Sequence, residues 1–262
     1  MKGSEKITVV ACYDYSMAAL CDGADMLLVG DSAGMVVLGY DSTTRVTMDE
    51  MCLFTGAVSR GRKDSMVVGD LPFMSYQACT ADAIRNSGRL VRAGADAVKL
   101  EGGAAVADAV RGVTGAGIPV MGHIGLLPQT AALSGGYRVQ GRTRESALRL
   151  AEDAKALEEA GAFAIVLEMV AEEAARMVTK SVGVPTIGIG SGAGCDGQVL
   201  VLHDMLGLYG RFRPKFAKVY ADLSGEVAGA VAGFKAEVES SQFPRPENSF
   251  YMDAGEADGL DR

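Results

Sequence analysis

Four acidic residues each stand at the end of an apolar run: Asp31 after Met26-Leu27-Leu28-Val29-Gly30, Asp70 after Met66-Val67-Val68-Gly69, Glu101 after Ala97-Val98-Lys99-Leu100, and Glu168 after Ala164-Ile165-Val166-Leu167. A short continuous apolar run fits a strand covered on both faces, as in a parallel sheet, and such sheets bind ligands at the carboxyl ends of their strands. Acids converging there make a cation site. Asp31, Asp70 and Glu101 offer the hard oxygen ligands that Mg²⁺ takes, with positions left for water and a chelating substrate. Asp31 and Asp70 each follow a glycine, so taken singly either also fits a helix cap.

Lys99 lies two residues before Glu101, so in a strand both side chains point to one face. A lysine buried there needs an acidic partner, and the alternatives are an internal ion pair, a cation for a substrate carboxylate, or an amine that forms a Schiff base. Glu168 ends the most apolar of the four runs and is expected to be the least hydrated of the acids, a setting that suits a general base. His123 closes Pro119-Val120-Met121-Gly122 and fits either a hydrogen bond to a substrate oxygen or a structural one. With His203 as its only companion, a histidine-rich zinc or iron site is excluded by supply.

Positioning these residues requires alternating helices and strands. Gly23-Ala24-Asp25, Gly94-Ala95-Asp96 and Gly161-Ala162-Phe163 each lead from a helical stretch into an acid-ended strand, and Gly117-Ile118-Pro119 and Gly183-Val184-Pro185 mark two further junctions. Ala147, Leu150, Ala154 and Leu157 share one helix face, and Thr47-Met48-Asp49-Glu50 fits a capping box. Thr80 and Asp82 fit another helix start. The strand candidates are 7–12, 26–30, 66–69, 97–100, 120–122, 164–167, 186–189 and 199–202. Eight strands separated by helices predict a single-domain α/β (β/α)8 TIM barrel over residues 1–250, with 251–262 a loosely ordered acidic tail. A doubly wound open sheet is the alternative, disfavoured because no strand leads into a clean dinucleotide fingerprint. The segment from Gly188 to Gly194 lacks a Walker lysine and reads as a tightly packed loop. The connection over residues 125–143 is long enough for a lid.

Composition narrows the partners. A formal net charge of −8 without clustered Lys and Arg argues against nucleic acid. No apolar run reaches membrane-span length, and Met1-Lys2-Gly3-Ser4-Glu5-Lys6 has no signal-peptide core, so a cytoplasmic protein acting on a small molecule is expected. The five cysteines form no C-x-x-C pair and read as reduced thiols.

At its most distinctive segments the chain resembles the ketopantoate hydroxymethyltransferase family. The resemblance rests on Tyr13-Asp14-Tyr15, Val29-Gly30-Asp31-Ser32, Asp70-Leu71-Pro72-Phe73-Met74, Val98-Lys99-Leu100-Glu101-Gly102-Gly103, Gly122-His123-Ile124-Gly125-Leu126, Gly135-Gly136-Tyr137, Glu168, Ile187-Gly188-Ile189-Gly190 and Pro214-Lys215-Phe216-Ala217-Lys218. It implies a homodecameric barrel enzyme of pantothenate synthesis that moves a one-carbon unit from 5,10-methylenetetrahydrofolate to the 2-oxo acid 3-methyl-2-oxobutanoate, with Mg²⁺ as cofactor. By that similarity Asp31 and Asp70 are metal ligands that also meet substrate, Glu101 is a third metal-site acid, Ser32 and Lys99 contact the substrate carboxylate, and Glu168 is the base. Spacing from Tyr15 to Asp31 is about two residues short of the family pattern, which implies a short first helix. Two rivals stay open at this level: a metal-dependent aldolase or lyase acting on a pyruvate-type enolate without folate, and a catalytically silent barrel that binds a small acid.

Overall fold

Eight parallel strands close into a barrel in the computed structural model, which describes residues 2–3, 5–131 and 136–258. The strands are β1 Ile7–Ala11, β2 Met26–Val29, β3 Met66–Asp70, β4 Ala97–Glu101, β5 Val120–Gly125, β6 Ala164–Glu168, β7 Thr186–Ile189 and β8 Gly197–Val201, each hydrogen-bonded to the next, with β8 returning to β1. The helices are α1 Tyr15–Cys21, α2 Ala33–Val36, α3 Met48–Gly61, α4 Thr80–Ala93, α5 Ala107–Gly115, α6 Arg144–Glu159, α7 Glu172–Ser181, α8 Leu202–Met205 and α9 Leu223–Glu239. The first helix is only seven residues long, in line with the short spacing before Asp31.

Local chemistry sets several boundaries. Thr47 and Glu50 exchange the two hydrogen bonds of a capping box at the start of α3, a device worth about 0.5–2 kcal/mol. Gly94 ends α4 at φ +114°, where a side chain would be strained. Two strands differ from the sequence expectation by more than one residue at an end. Strand β5 runs on to Gly125, because Gly122 does not end it: a Cβ there would lie 2.7 Å from Leu157 Cδ1, so that glycine exists to let α6 pack closely. Strand β8 begins at Gly197, where a Cβ would meet the Ile7 carbonyl oxygen at 2.5 Å, and ends at Val201, since Leu202 already starts α8.

Alternation divides the core into two shells. Ile7, Val9, Met26, Leu28, Val68, Ala97, Met121 and Val166 fill the barrel, while Leu27, Val67, Val98, Leu100, Ile165 and Leu167 point outward and are buried beneath the helices. The cover is incomplete over β8 and β1. There Thr8 and Gln198 face outward and are exposed, and Val10 and Leu200 are half-buried. Residues 190–196 return from β7 to β8 without a helix, and Asp196 accepts a hydrogen bond from the Thr186 backbone N–H at 2.9 Å. Helix α9, anchored by Leu223 N donating to the Leu206 carbonyl at 2.9 Å, buries none of its residues. Among the described residues no helix is long and apolar enough to cross a membrane.

Candidate active site

Strand register brings the predicted acids together. Asp70 sits beside Lys99, Glu101 beside His123, and Gly125 beside Glu168, all at the carboxyl ends of neighbouring strands. Lys99 and Glu101 point into the barrel, as their two-residue spacing requires. The Lys99 ammonium lies 2.8 Å from Asp70 Oδ1, 3.9 Å from Glu101 Oε1 and 3.3 Å from His123 Nδ1. His123 in turn stands between two acids, with Nδ1 3.5 Å from Glu101 Oε1 and Nε2 3.2 Å from Glu168 Oε2. Asp31 follows β2 and donates its backbone N–H to Asp70 Oδ2 at 3.2 Å. Ser32 comes next and shares a 2.8 Å hydrogen bond with the buried Tyr13 hydroxyl.

Three buried carboxylates around one ammonium leave excess negative charge, and the protonation equilibria follow from that. Burial, with Asp70 and Glu101 close by, pushes the Asp31 carboxyl well above the usual carboxylate range, against the pull of Lys99 and Gln129. Burial likewise raises Asp70, with Lys99 opposing. Burial also works to raise Glu101, but His123, Lys99 and the Gln129 backbone N–H outweigh it, and that carboxyl is lowered. Burial disfavours the Lys99 charge, yet Asp70, Glu101 and Asp31 together raise its pKa, so the amine is held protonated. For His123, burial and Lys99 oppose the charge, while contacts with Glu101 and Glu168 overcome both and push the ring up to about 9.

One expectation fails. Glu168 is the most hydrated of the site's ion-paired acids, with its side chain 16% exposed against 1% for Asp70 and 2% for Glu101. It is the last residue of β6, and its register neighbour on β5 is Gly125, which has no side chain to cover it. An apolar run predicts burial of the strand, and the residue that ends the run reaches the rim. The internal ion pair anticipated for Lys99 is present, with Asp70 as the nearer partner.

The fit of a divalent cation rests on oxygens left over by the protein. Asp70 Oδ1 and Glu101 Oε1 are buried and meet cationic neighbours, but neither accepts an aligned hydrogen bond. Three of the other four oxygens are committed: Asp70 Oδ2 to the Asp31 N–H, Asp31 Oδ2 to Gln129 Nε2 at 3.0 Å, and Glu101 Oε2 to the Gln129 N–H at 3.1 Å. Among the described residues no three His, Cys, Asp or Glu side chains gather into a complete ligand set. Mg²⁺ does not need one, since it keeps several waters and commonly uses one or two carboxylates plus substrate. The donors present fit that cation.

These groups line a cavity of about 1230 Å³ that also reaches Tyr137, Val139, Tyr209, Phe212, Lys215 and Phe216. An apolar wall of Leu28, Val166, Val199 and Val201 faces the same space. The connection expected to form a lid contributes Tyr137 and Val139, and its far end is stitched to the end of β6 by Gln140 N donating to the Met169 carbonyl at 2.8 Å. Gly135, part of the Gly135-Gly136-Tyr137 motif, lies outside the described residues, as do 132–134 of that connection and 259–262 of the expected acidic tail. The Gly188–Gly194 segment is tightly packed, with Phe216 against Gly190 and Glu172 against Gly192. Sequence reading missed Gln129 and Tyr76, which lie in irregular segments where no periodicity marks an inward side chain.

The model of the family described as ketopantoate hydroxymethyltransferase matches residues 1–246. The chain belongs to that family. It is 58% identical over 257 residues to the 3-methyl-2-oxobutanoate hydroxymethyltransferase of Nitrosopumilus maritimus, covering 97% of this chain and 92% of the relative. To the Moorella thermoacetica enzyme of the same name it is 56% identical over 249 residues, with 94% and 93% covered. Among solved structures, phosphonopyruvate hydrolase superposes with a TM-score of 0.62 at 12% identity, covering 97% of this chain and 89% of that one. A 2,3-dimethylmalate lyase of the PEP mutase/isocitrate lyase superfamily superposes at 0.58 and 18% identity, covering 91% and 84%. At such identities the likeness is one of fold, the (β/α)8 barrel.

Proposed function

We infer that this member of a hydroxymethyltransferase family transfers a one-carbon unit from 5,10-methylenetetrahydrofolate to 3-methyl-2-oxobutanoate, forming 2-dehydropantoate in the first step of pantothenate synthesis. The observation that carries the reading is the single cavity in which Glu168, the Asp31–Asp70–Glu101 cluster, Lys99 and an apolar wall all meet. Its volume exceeds what a five-carbon acid needs and leaves room for a larger co-substrate.

Asp31 and Asp70, with Glu101 beside them, would hold Mg²⁺, which supplies Lewis-acid stabilisation of negative charge on the 2-oxo group. Lys99, kept protonated by its acidic neighbours, offers a cation to the substrate carboxylate, and Ser32, steadied by Tyr13, offers a hydroxyl. The branched alkyl group suits the wall of Leu28, Val166, Val199 and Val201. Glu168 takes the proton from C3. Its rim position leaves the carboxylate accessible to a substrate seated in the mouth, and His123 orients it from 3.2 Å. Carbon–carbon bond formation at the folate methylene then breaks its carbon–nitrogen bonds, and water supplies the hydroxyl oxygen.

The chain also fits a homo-oligomer, a decamer by its family resemblance. Support comes from α9, whose exposed Val227, Val231, Phe234 and Val238 form a stripe at helical spacing, and from the incompletely covered outer face of β8 and β1. Replacing Val231 and Phe234 by Glu should lower the mass measured by light scattering.

The deciding experiment is exchange of the C3 proton of 3-methyl-2-oxobutanoate into deuterated water with Mg²⁺ and no folate, followed by product formation when folate is added. The unaltered chain should exchange and Glu168→Gln should not. Full exchange by Glu168→Gln removes Glu168 as the base, and product formed without folate refutes the folate-dependent transfer.

A further inference from the structure

One turn of chain after β5 touches two of the three acids proposed to face the cation, Asp31 and Glu101. Gln129, only 4% exposed, lies in the short 3-10 turn Pro128–Thr130. Its backbone N–H donates to Glu101 Oε2 at 3.1 Å, and its side-chain Nε2 donates to Asp31 Oδ2 at 3.0 Å and to the Leu71 carbonyl at 2.9 Å. Because the Leu71 carbonyl can only accept, the NH₂ end of the amide must face this way. Gln129 Oε1 then accepts from the Tyr76 hydroxyl at 2.9 Å and from Gln77 Nε2 at 3.2 Å. The Tyr76 hydroxyl also lies 3.0 Å from the Glu101 carbonyl and accepts from the Glu101 N–H at 3.1 Å. Both donors of the amide are used, its oxygen is satisfied twice, and the side chain has one orientation.

We propose that Gln129 is a positioning residue which sets the Asp31 and Glu101 carboxylates for the cation, held in register by Tyr76. The proposal rests on reading this cluster as a divalent-cation site. With Oδ2 tied to Gln129, Asp31 presents its other oxygen at a fixed angle, and its backbone N–H relays that placement to Asp70. Gln129 reaches Glu101 through the main chain, so a side-chain substitution acts on Asp31 first and spares the Glu101 contact. Outer partners of this kind orient ligating groups, and their removal commonly weakens metal binding tenfold to a hundredfold.

The test is Mn²⁺ affinity of the full chain without substrate, read from free Mn²⁺ by electron paramagnetic resonance. Gln129→Leu keeps the bulk and removes both donors, and its affinity should fall by about tenfold or more. Tyr76→Phe should weaken binding by a smaller factor and combine less than additively with Gln129→Leu, because part of its effect passes through the same amide. Gln77→Ala, which touches that amide but neither acid, should bind as the unaltered chain does. Unchanged Mn²⁺ affinity in Gln129→Leu overturns the positioning role; should that variant fail to fold, unchanged affinity in Tyr76→Phe does so instead. Full additivity of the two substitutions also overturns it. No Mn²⁺ binding by the unaltered chain refutes the cation reading and the positioning role together.

Discussion

Lys99→Met isolates the charge that holds the acid cluster together. Methionine matches the length and bulk of the lysine stem, so the substitution opens little cavity and the main change is loss of the ammonium. That ammonium lies 2.8 Å from Asp70 and 3.9 Å from Glu101, with all three side chains at most 5% exposed. Removing one partner of a buried ion pair costs about 3–5 kcal/mol, because the other charge is left without compensation. The lower end applies here, about 3 kcal/mol, since Asp31, already raised by burial and its acidic neighbours, can take up a proton in response. Against a total stability of about 5–15 kcal/mol this is a large loss. Urea denaturation followed by circular dichroism should show it at neutral pH, and the double variant Lys99→Met with Asp70→Asn should recover part of it by removing the stranded anion. A single variant within about 1 kcal/mol of the unaltered chain, or a double variant no more stable than the single, would falsify the electrostatic account.

Borohydride added with 3-methyl-2-oxobutanoate should leave Lys99 unlabelled, since its acidic neighbours keep the amine protonated; mass-spectrometric detection of a reduced adduct on Lys99 would reverse that. Gly125→Ala should cost about 1–3 kcal/mol and lower turnover, because Gly125 sits at φ +98° with a Cβ position 2.3 Å from the Glu168 carbonyl oxygen. Unaltered denaturation and turnover together would show that the site tolerates the shift. Asp22 accepts hydrogen bonds from the backbone of Lys63, Ser65 and Asp64, which lower its pKa to about 2. A depressed folded-state value stabilises the chain above the unfolded carboxylate range and the effect is lost as pH falls toward 2. Asp22→Asn should therefore be less stable than the unaltered chain at neutral pH and converge with it in acid; a difference independent of pH would refute the assignment.

What was legible beforehand follows from short-range rules. Apolar runs ended by acids locate β2, β3, β4 and β6, the Gly-Ile-Pro and Gly-Val-Pro junctions place β5 and β7, and the capping box of Thr47 and Glu50 is a pattern of four residues that forms as spaced. The two-residue interval between Lys99 and Glu101 was enough to put both on the inner face. Glycines misled where they serve packing instead of chain reversal. Gly122 ends the expected β5, yet its role is to admit Leu157, which comes from a helix 35 positions further along. The strand candidate 199–202 likewise starts two residues after Gly197, which opens β8.

The sequence by itself determined the strand order, the inward phase of the acids and, through motifs spread along the chain, the family. The tertiary structure decided which acid is shielded and which is exposed. Glu168 ends the most apolar run yet lies at the rim, where one of the two neighbours that register places beside it, Gly125 on β5, has no side chain to cover it. It also decided who holds Asp31: Gln129 is 98 positions away, in a segment with no periodic signal. Strand phase depends on residues two apart, and a local pattern carries it. Burial and hydrogen-bond partnership depend on which distant segments closure of the barrel brings together.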